Sequence, residues 1–532
     1  IHQSGLLFLA SYLGATAAFV LAPVVLIPIF KITSRHQLSS LADLFAFRFR
    51  SGSVGSLISL LLLIASLPLL SIQIQAITDS VNLLYKDSSD SIVAITFCTC
   101  IALFAIIFGT KRPSLRARNS GLVVAIAASS IIKLCVFVGF AIFVYFEVLG
   151  GPSEITQWVS DSASASALLE RKPETDSWRT LLLAFFTAVI VMPHMFHLLF
   201  NENQSISNLH AASWGMPLYL FMLAASVPII TWAGIKMGIP GSPSFTMFYI
   251  SDIINSKWMI IASYIVALGA TSGVMILSVL SLGSMLQNHV IVRLITIPKS
   301  AHFYNWLLWI RRALIVGVII ISYLFYKNYG VTKQIQLLGL SAFIAFLQFL
   351  PGLMVTLFWP KANKLGFITG LCIGIFTWFI TTFYPVVFSQ TSLLSDLNIS
   401  QFSWQSTAIL SLILNVAALI IVSLLTKTSR EELQAAESCL YNSLEQPSSL
   451  NLTPIHSEDI IQILAPKLGE QAAQRELHKA MNTLSLNSDQ LMPFDLLRVR
   501  TLLEHNLSAL IGPIKAASLL APLSTKDKSD NF

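Results

Sequence analysis

The chain has 532 residues, of which 55% are hydrophobic and only 11% are charged. An average soluble domain carries roughly 25% charged residues, so this composition excludes a soluble globular protein, which could not cover its surface. The formal net charge of +7 does not indicate nucleic-acid binding, because the basic residues lie in short loops rather than in one stripe.

The apolar segments have the length of membrane-spanning helices. A bilayer core about 30 Å thick needs roughly 20 mostly apolar residues in a helix, and we count eleven such segments. They are too long and too uniformly apolar for barrel strands, so the sequence predicts an all-α, multi-pass membrane protein. The segments cover residues 5–30, 53–78, 91–109, 121–148, 179–200, 213–237, 257–288, 313–328, 334–358, 366–388 and 405–426.

Alternate loops between these segments are basic, which predicts the orientation. By the positive-inside rule the basic loops are cytoplasmic. The N-terminus is then outside and, after eleven crossings, the C-terminus is cytoplasmic. The chain begins at Ile1 without Met or a basic n-region, and we expect a fragment whose upstream part is missing. The basic set comprises Lys31, Arg35, Arg48, Arg50, Lys111, Arg112, Arg116, Arg118, Arg293, Lys299, Arg311, Arg312, Lys361 and Lys364.

The composition changes after about Thr428 to polar sequence with amphipathic helical periodicity. We therefore expect a transmembrane domain over 1–427, a linker helix over 428–445 and a small cytoplasmic helical domain over 446–522. The last residues, 523–532, are charged and predicted to be a disordered tail.

Two apolar segments contain residues that could serve transport. Pro68, with Gln73 following, interrupts the second segment. A proline frees backbone carbonyls that can coordinate a cation or solute, although a packing kink explains it equally well. The stretch from Gly269 to Asn288 is rich in small and hydroxyl residues. It suits either oxygen ligation of a monovalent cation or close helix packing, and composition favours packing.

Several other intramembrane residues have ordinary explanations. Lys133 is either a buried charge on a pathway or a snorkelling side chain. His194 and His197 could share a metal, but interfacial histidines are favoured because no further ligand is obvious. The glycines of 366–374 recur every four residues, which is typical of close helix packing.

The sequence contains no phosphate loop, paired catalytic carboxylates, nucleophile elbow or zinc spacing. It therefore predicts a protein that is not an enzyme, with no organic cofactor, no structural metal and no nucleic-acid partner.

Six stretches of the chain carry a family resemblance. Their sequences and their order along the chain resemble the sodium/solute symporter family, and more narrowly its members fused to bacterial sensor histidine kinases. A weaker resemblance, over 502–520, is to the helical linker that precedes the kinase core in such proteins. The six stretches are SSLADLFAFRF (39–49), SLPLLSIQIQAI (66–77), FGTKR (108–112), VMPHMFHLLFNEN (191–203), GSMLQNHVIVRL (283–294) and FLQFLPGLMVTLFWPKANKLGFITGLCIG (346–374).

The resemblance implies a LeuT-like fold of two inverted repeats with a midplane site and alternating access. The family normally has thirteen membrane helices, so the eleven counted here imply that the first two are missing, including a broken helix of the site. It also implies that Thr271 and Ser272 bind the coupling cation and that Gln348, with Pro68 and Gln73, belongs to the solute pathway. Many members have Ser-Thr where this chain has Ser272-Gly273, and the kinase-linked members tend to have Glu at Ser129. Both Na+ and H+ thus remain open as the coupling ion.

Two hypotheses follow from the resemblance. The first is an ion-coupled transporter of a small organic solute, an amino or carboxylic acid, in the bacterial inner membrane. The second is the sensory input region of a two-component histidine kinase, which passes solute occupancy through the helical tail to a kinase domain or response regulator. The expected partners are the solute, the coupling cation and the lipid bilayer.

Overall fold

The architecture is a helical bundle with a smaller helical module attached to one end. The computed structural model describes residues 5–85, 89–110, 119–162, 175–203, 205–239, 243–294, 303–330, 335–388, 403–439, 455–484, 490–491 and 493–520. Several sequence predictions lie outside this part of the chain: the loop basic residues 111–118 and 299, part of the linker helix, and the tail 523–532.

The described residues of the bundle form nineteen α-helices, labelled here in chain order. They are α1 (Phe8–Val20), α2 (Leu26–His36), α3 (Leu41–Arg48), α4 (Gly52–Leu84), α5 (Asp90–Gly109), α6 (Ser120–Glu147), α7 (Gly151–Asp161), α8 (Thr175–Val191), α9 (Pro193–Phe196), α10 (Ile206–Lys236), α11 (Thr246–Ile253), α12 (Lys257–Leu286), α13 (Val292–Leu294), α14 (Phe303–Phe325), α15 (Ile335–Leu347), α16 (Leu350–Phe358), α17 (Lys364–Trp378), α18 (Tyr384–Phe388) and α19 (Trp404–Leu425). Short 3-10 turns precede α1 (Gly5–Leu7) and α11 (Pro243–Phe245), and π-helical turns cover His197–Glu202, Gln287–Ile291, Tyr326–Gly330 and Phe379–Phe383.

Within the described ranges, nine helices are long and apolar enough to cross a membrane alone. The pair Thr175–Val191 and Pro193–Glu202 is bent by 50° and makes a tenth if it counts as one span. Pro193 is the first residue after the bend and has no N–H to continue the helix. These ten, together with the shorter apolar helix Gly5–Val20, correspond to the eleven predicted segments.

The first predicted segment, 5–30, differs from the expectation of one continuous helix. It is two helices, α1 and α2, separated by turns at 21–25. Pro23 lies in this break and cannot donate an intrahelical hydrogen bond. Broken helices expose backbone polar groups inside a bundle, which is tolerated where they line a cavity or are buried in protein.

Buried polar contacts tie α3 to the rest of the basic end of the bundle, the end that carries Arg48, Arg293 and Arg311. Ser40 caps α3 by accepting a hydrogen bond from the Asp43 backbone N–H. The Arg48 guanidinium donates to the carbonyl oxygens of Trp359, Pro360 and Ala362, at 3.1–3.2 Å. Arg48 is fully buried, and its three acceptors immediately follow α16, so it ties α3 to the loop between α16 and α17.

The glycines of the 366–374 ridge lie against α19. A Cβ at Gly366 would be 2.7 Å from the Leu419 carbonyl oxygen, and one at Gly370 would be 2.7 Å from the Asn415 carbonyl oxygen. Side chains larger than hydrogen are therefore excluded by backbone. The ridge is a helix-packing surface, as the sequence indicated.

The remaining described residues form helix α20 (Arg430–Cys439) and a module of four helices. The module comprises α21 (Ser457–Leu468), α22 (Glu470–Thr483), α23 (Pro493–Ile511) and α24 (Pro513–Leu520), with a short antiparallel pair of strands, β1 (Ile455–His456) and β2 (Gln490–Leu491). Gly469 adopts a φ of 87° and separates α21 from α22. Gly512 separates α23 from α24.

The module packs on the basic end of the bundle. Its apolar core, built on Ile460, Leu464 and Leu503, also contains Val292 from α13 and Leu307 from α14. The Tyr304 hydroxyl at the start of α14 donates a 2.9 Å hydrogen bond to Glu476 of the module. Helices α13 and α14 of the bundle thus share one continuous hydrophobic core with the module.

Candidate functional site

One face of α12 is polar along the middle of the bundle. Thr271 and Ser278 lie two turns apart on this face, and both are buried, at 5% and 1% exposure. The Thr271 hydroxyl donates to the carbonyl oxygens of Ala267 and Leu268 in its own helix. Ser272 is half-buried beside it. This stretch supplies hydroxyl and carbonyl oxygens inside an otherwise apolar helix, the donor set that monovalent cations prefer.

A lysine side chain approaches α12 one helical turn before Ser272. The Lys133 ammonium on α6 donates a 3.1 Å hydrogen bond to the Gly269 carbonyl oxygen on α12, two residues before Thr271. A Cβ at Gly269 would be 2.9 Å from the Ser129 hydroxyl and 3.1 Å from Cδ of Lys133. Ser129 and Lys133 are one turn apart on α6, so they approach α12 together because residue 269 has no side chain. The sequence allowed either a buried charge on a pathway or a snorkelling side chain at Lys133, and this contact favours the buried charge.

The bent segment α8–α9 brings a histidine to the other end of the same face. His194 follows the helix break at Pro193 and is buried, at 9% exposure. Its Nδ1 lies 3.3 Å from the Ser278 hydroxyl of α12. Thr271 and Ser272 therefore lie between a lysine from α6 and a histidine from a broken helix.

The pairing of α4 with α12 indicates the depth of Pro68 and Gln73. The Ser56 hydroxyl donates to the carbonyl oxygen of His289, and the Ser59 hydroxyl donates to that of Met285 at 3.5 Å. The two helices are thus antiparallel. Extending this register places Gln73 at the level of Thr271 and Ser272. Gln73 is half-buried, and its side-chain amide donates to the Leu69 carbonyl oxygen at 3.3 Å.

Pro68 lies buried inside the uninterrupted helix α4. Because proline has no N–H, the carbonyl of Ile64 has no i+4 donor in the helix. The predicted proline effect is therefore confined to one carbonyl rather than a broken helix.

Gln348 belongs to a separate polar cluster. It lies at the break between α15 and α16 and is 1% exposed. Its side-chain amide donates to the Ser411 hydroxyl at 2.9 Å, and the Asn415 amide donates to the Gln348 backbone carbonyl oxygen at 2.8 Å. Both partners are on α19. Of the predicted site residues, Thr271, Ser272 and Gln73 thus lie at the same depth of the bundle. Gln348 lies elsewhere, between α19 and the glycine ridge, where a Cβ at Gly374 would contact its Oε1.

His197 has a carboxylate partner that the sequence did not reveal. Nε2 of His197 lies 3.3 Å from Oε1 of Glu202, without the alignment of a hydrogen bond. The two residues are five apart, a spacing that faces one direction only in a π-helix. Glu202 also accepts a 2.9 Å hydrogen bond from the backbone N–H of Asn119, at the start of α6.

The two histidines therefore have different partners, Ser278 and Glu202. Within the described residues, no group of three or more His, Cys, Asp or Glu side chains could hold a metal ion.

Comparison with solved structures identifies the architecture. A Na+-coupled sialic acid symporter, solved substrate-bound and outward-open, has 16% sequence identity with this chain and a TM-score of 0.55. The similarity covers 79% of this chain and 84% of that chain. Two structures of the transporter Mhp1 align more loosely. The inward-facing form has 14% identity and a TM-score of 0.46, over 84% of this chain and 90% of that one. The closed form, with bromovinylhydantoin bound, has 12% identity and a TM-score of 0.45, over 81% and 89%.

No family model matches the sequence, and no curated protein matches it. At 16% identity, the likeness to the sialic acid symporter concerns the fold. The chain is an all-α, multi-pass membrane protein with a LeuT-like transporter fold.

Proposed function

We propose that this chain is an ion-coupled carrier domain for a small organic solute, an amino or carboxylic acid, in the bacterial inner membrane with its C-terminus in the cytoplasm. The observation that carries the proposal is the polar face of α12. The buried hydroxyls of Thr271 and Ser278 already have hydrogen-bond partners, and a hydroxyl oxygen has two lone pairs with which it can also bind a ligand. Here they lie between Lys133 and His194, two ionisable side chains from two other helices.

The coupling ion is H+ or Na+, and the Lys133 contact bears on the choice. Its ammonium approaches α12 one helical turn or less from Thr271 and Ser272. A fixed positive charge there repels a second cation at short range. If Lys133 releases its proton during the cycle, H+ serves as the coupling ion. If it stays charged, Na+ must bind on the far side of Thr271 and Ser272.

Uptake into proteoliposomes containing the protein tests the proposal. Labelled amino acids and carboxylic acids are presented with an inward Na+ gradient, an inward H+ gradient or neither. We expect uptake under one gradient that collapses with the matching ionophore. Absence of uptake for both solute classes under both gradients contradicts the carrier function.

A second function, sensory input to a histidine kinase, is favoured by the contact between bundle and module. Val292 and Leu307 are fully buried in the core of the module. Movement of α13 or α14 during solute binding would therefore change the packing of the module. Such a protein would report occupancy to a kinase domain or response regulator.

Solute-dependent protection of the module distinguishes the sensor. Amide hydrogen exchange of α21–α24 is measured with and without the transported solute, in the protein and in a Ser272→Ala variant. A sensor changes protection in the module on solute binding, and the variant loses that change. Unchanged exchange at saturating solute contradicts signalling while leaving carriage intact.

A further inference from the structure

A cavity of about 230 Å³ lies where the module meets the basic end of the bundle. From the bundle it is lined by Asn288, in the π-helical turn after α12, and by Arg293 of α13. From the module it is lined by Gly512 and by Lys515 of α24. The cavity therefore exists only while the two parts are in contact.

The lining is basic. Arg293 donates one hydrogen bond, of 3.0 Å, to the Ser56 hydroxyl, and Lys515 donates one to the Val292 carbonyl oxygen. A guanidinium has five N–H donors and an ammonium has three, so both have donors left for a ligand. None of the described residues that line the cavity is acidic.

Backbone geometry adds further donors. Helix α24 begins at Pro513, directly after Gly512, whose φ is 84°. The first N–H groups of a helix have no intrahelical acceptor, and the helix dipole places partial positive charge there. In α24 these groups belong to Ile514 and Lys515, since Pro513 has no N–H. Oxyanions bind readily at such helix starts.

An unpaired buried amide points to the ligand independently. The side chain of Asn288 is 6% exposed, and neither its Nδ2 nor its Oδ1 has a hydrogen-bond partner. Leaving a buried amide unpaired is unfavourable, because the group has lost its water without gaining a partner. Nδ2 lies 3.7 Å from the Cβ position at Gly512, beside the start of α24. An oxyanion in the cavity would accept the missing hydrogen bond from Nδ2.

We propose that this cavity binds a phosphate-type oxyanion, and that the anion fastens the module to the bundle. Its ligands are the side chains of Arg293 and Lys515, the side-chain amide of Asn288 and the backbone N–H groups at the start of α24. The effect of nearby charge agrees with this assignment. Burial and the neighbouring Lys467 both lower the pKa of Lys515, so the ammonium experiences positive rather than negative surroundings. A bound anion would relieve this repulsion.

Two sources can supply this chemistry, a soluble phosphomonoester and a phosphomonoester lipid headgroup. Inorganic phosphate is therefore titrated into the full chain in nanodiscs of phosphatidylcholine, at constant ionic strength maintained with chloride, with 31P NMR and thermal unfolding as readouts. The titration is repeated in nanodiscs that also contain phosphatidic acid. Loss of phosphate binding in the second lipid identifies the lipid headgroup as the occupant, and unchanged binding identifies a soluble anion.

Two variants and a matched control test the residues. Arg293→Gln and Lys515→Gln each remove one positive charge from the cavity, and we expect the affinity for phosphate to fall at least tenfold. Lys479→Gln removes one positive charge from an exposed position on α22 and leaves binding unchanged. Asn288→Asp, nearly isosteric, places a negative charge in the cavity and abolishes binding.

The proposal is overturned if phosphate raises the unfolding midpoint no more than chloride does, or if Lys479→Gln weakens binding as much as Lys515→Gln. Because Lys515 also bonds the Val292 carbonyl, the Gln variant could unfold the module. In that case Lys515→Arg, which retains charge and donors, must bind phosphate within about threefold of the parent protein, and loss of binding contradicts the proposal.

Discussion

Nε2 of His289 lies 2.8 Å from Oδ1 of Asp43, joining two buried side chains that are 246 residues apart in the sequence. Oδ2 of the same carboxylate accepts hydrogen bonds from the backbone N–H and the hydroxyl of Ser39, at 3.0 and 2.6 Å. The pair connects α3 to the π-helical turn after α12. It therefore links the loop of the SSLADLFAFRF stretch to the segment that leads into the phosphate cavity.

Replacing Asp43 with Asn should lower the free energy of unfolding by about 3 kcal/mol, because it weakens three buried hydrogen-bond contacts to a carboxylate. SDS titration in mixed micelles measures this value. Asp252→Asn, at an exposed position on α11, removes an equal charge and should have little effect. Equal losses in the two variants would contradict a structural role for the pair.

The same pair predicts a dependence on pH. Burial raises the pKa of Asp43, but the hydrogen bonds from His289 and Ser39 outweigh burial and hold that pKa below its usual value. The stabilisation is therefore present above the unfolded pKa of about 4 and is lost as the pH falls through the lower folded pKa. Unfolding midpoints measured between pH 5 and 3 should decline more steeply in the parent protein than in Asp43→Asn.

The glycine ridge predicts a position-specific cost. Gly370→Ala places a Cβ against the Asn415 backbone and should destabilise the protein by about 2 kcal/mol, the usual range for overpacking. The control is Gly317→Ala on α14, where a Cβ meets nothing within 4 Å, and helix propensity there favours alanine by up to about 1 kcal/mol. Similar unfolding midpoints for the two variants would refute close packing of α17 on α19.

Cys439 on α20 should react slowly with thiol reagents. It is fully buried, and burial raises the pKa of its thiol to about 11. Near pH 7 its thiolate fraction is then roughly 300-fold lower than that of an ordinary cysteine with a pKa of about 8.5. Maleimide labelling is compared in a background lacking the other four cysteines, with Glu437→Cys as the exposed control. Equal labelling rates would show that α20 does not stay packed on α3.

Ion dependence should change when the polar face of α12 is altered. Ser272→Ala removes one candidate cation ligand, and we expect the half-saturating concentration of the coupling ion to rise at least fivefold in proteoliposome uptake. Ser213→Ala on α10, whose hydroxyl bonds only its own helix in the contacts seen here, is the matched control. If Ser272→Ala leaves the ion dependence unchanged, Thr271 and Ser272 are not the cation ligands.

Helix positions were predictable from sequence because hydropathy and length report membrane crossing directly. The fold class and the positions of ten of the eleven segments agree with the structure, whereas segment 5–30 is two helices. The likeness to a solved symporter supports the LeuT-like architecture. The break in 5–30 and the bend at Pro193 were visible only as prolines. A proline in the sequence does not reveal whether the helix continues through it or ends there. Helix α4 continues through Pro68.

Side-chain partners were less predictable, because they depend on contacts between distant segments. Glu202 was missed as the partner of His197 because an i+5 pair faces one side only in a π-turn. The spacing of Ser40 and Asp43, typical of a capping box, was the signal available for the start of α3. Gln348 was grouped with the pathway by resemblance, whereas its hydrogen bonds go to α19. Whether Thr271, Ser272, Pro68, Gln73 and Gln348 serve ion or solute binding remains a prediction.

The burial of Val292 and Leu307 in the core of the module has a consequence for dissecting this protein. A chain cut after α19 would retain every membrane crossing but would leave these two side chains facing water, without the module that covers them. The sequence places the domain boundary near residue 427, but the module folds together with Val292 and Leu307 of the transmembrane domain. The two domains are therefore not separate cooperative folding units. Shortened versions should aggregate through this surface, unless both residues are first replaced by polar ones.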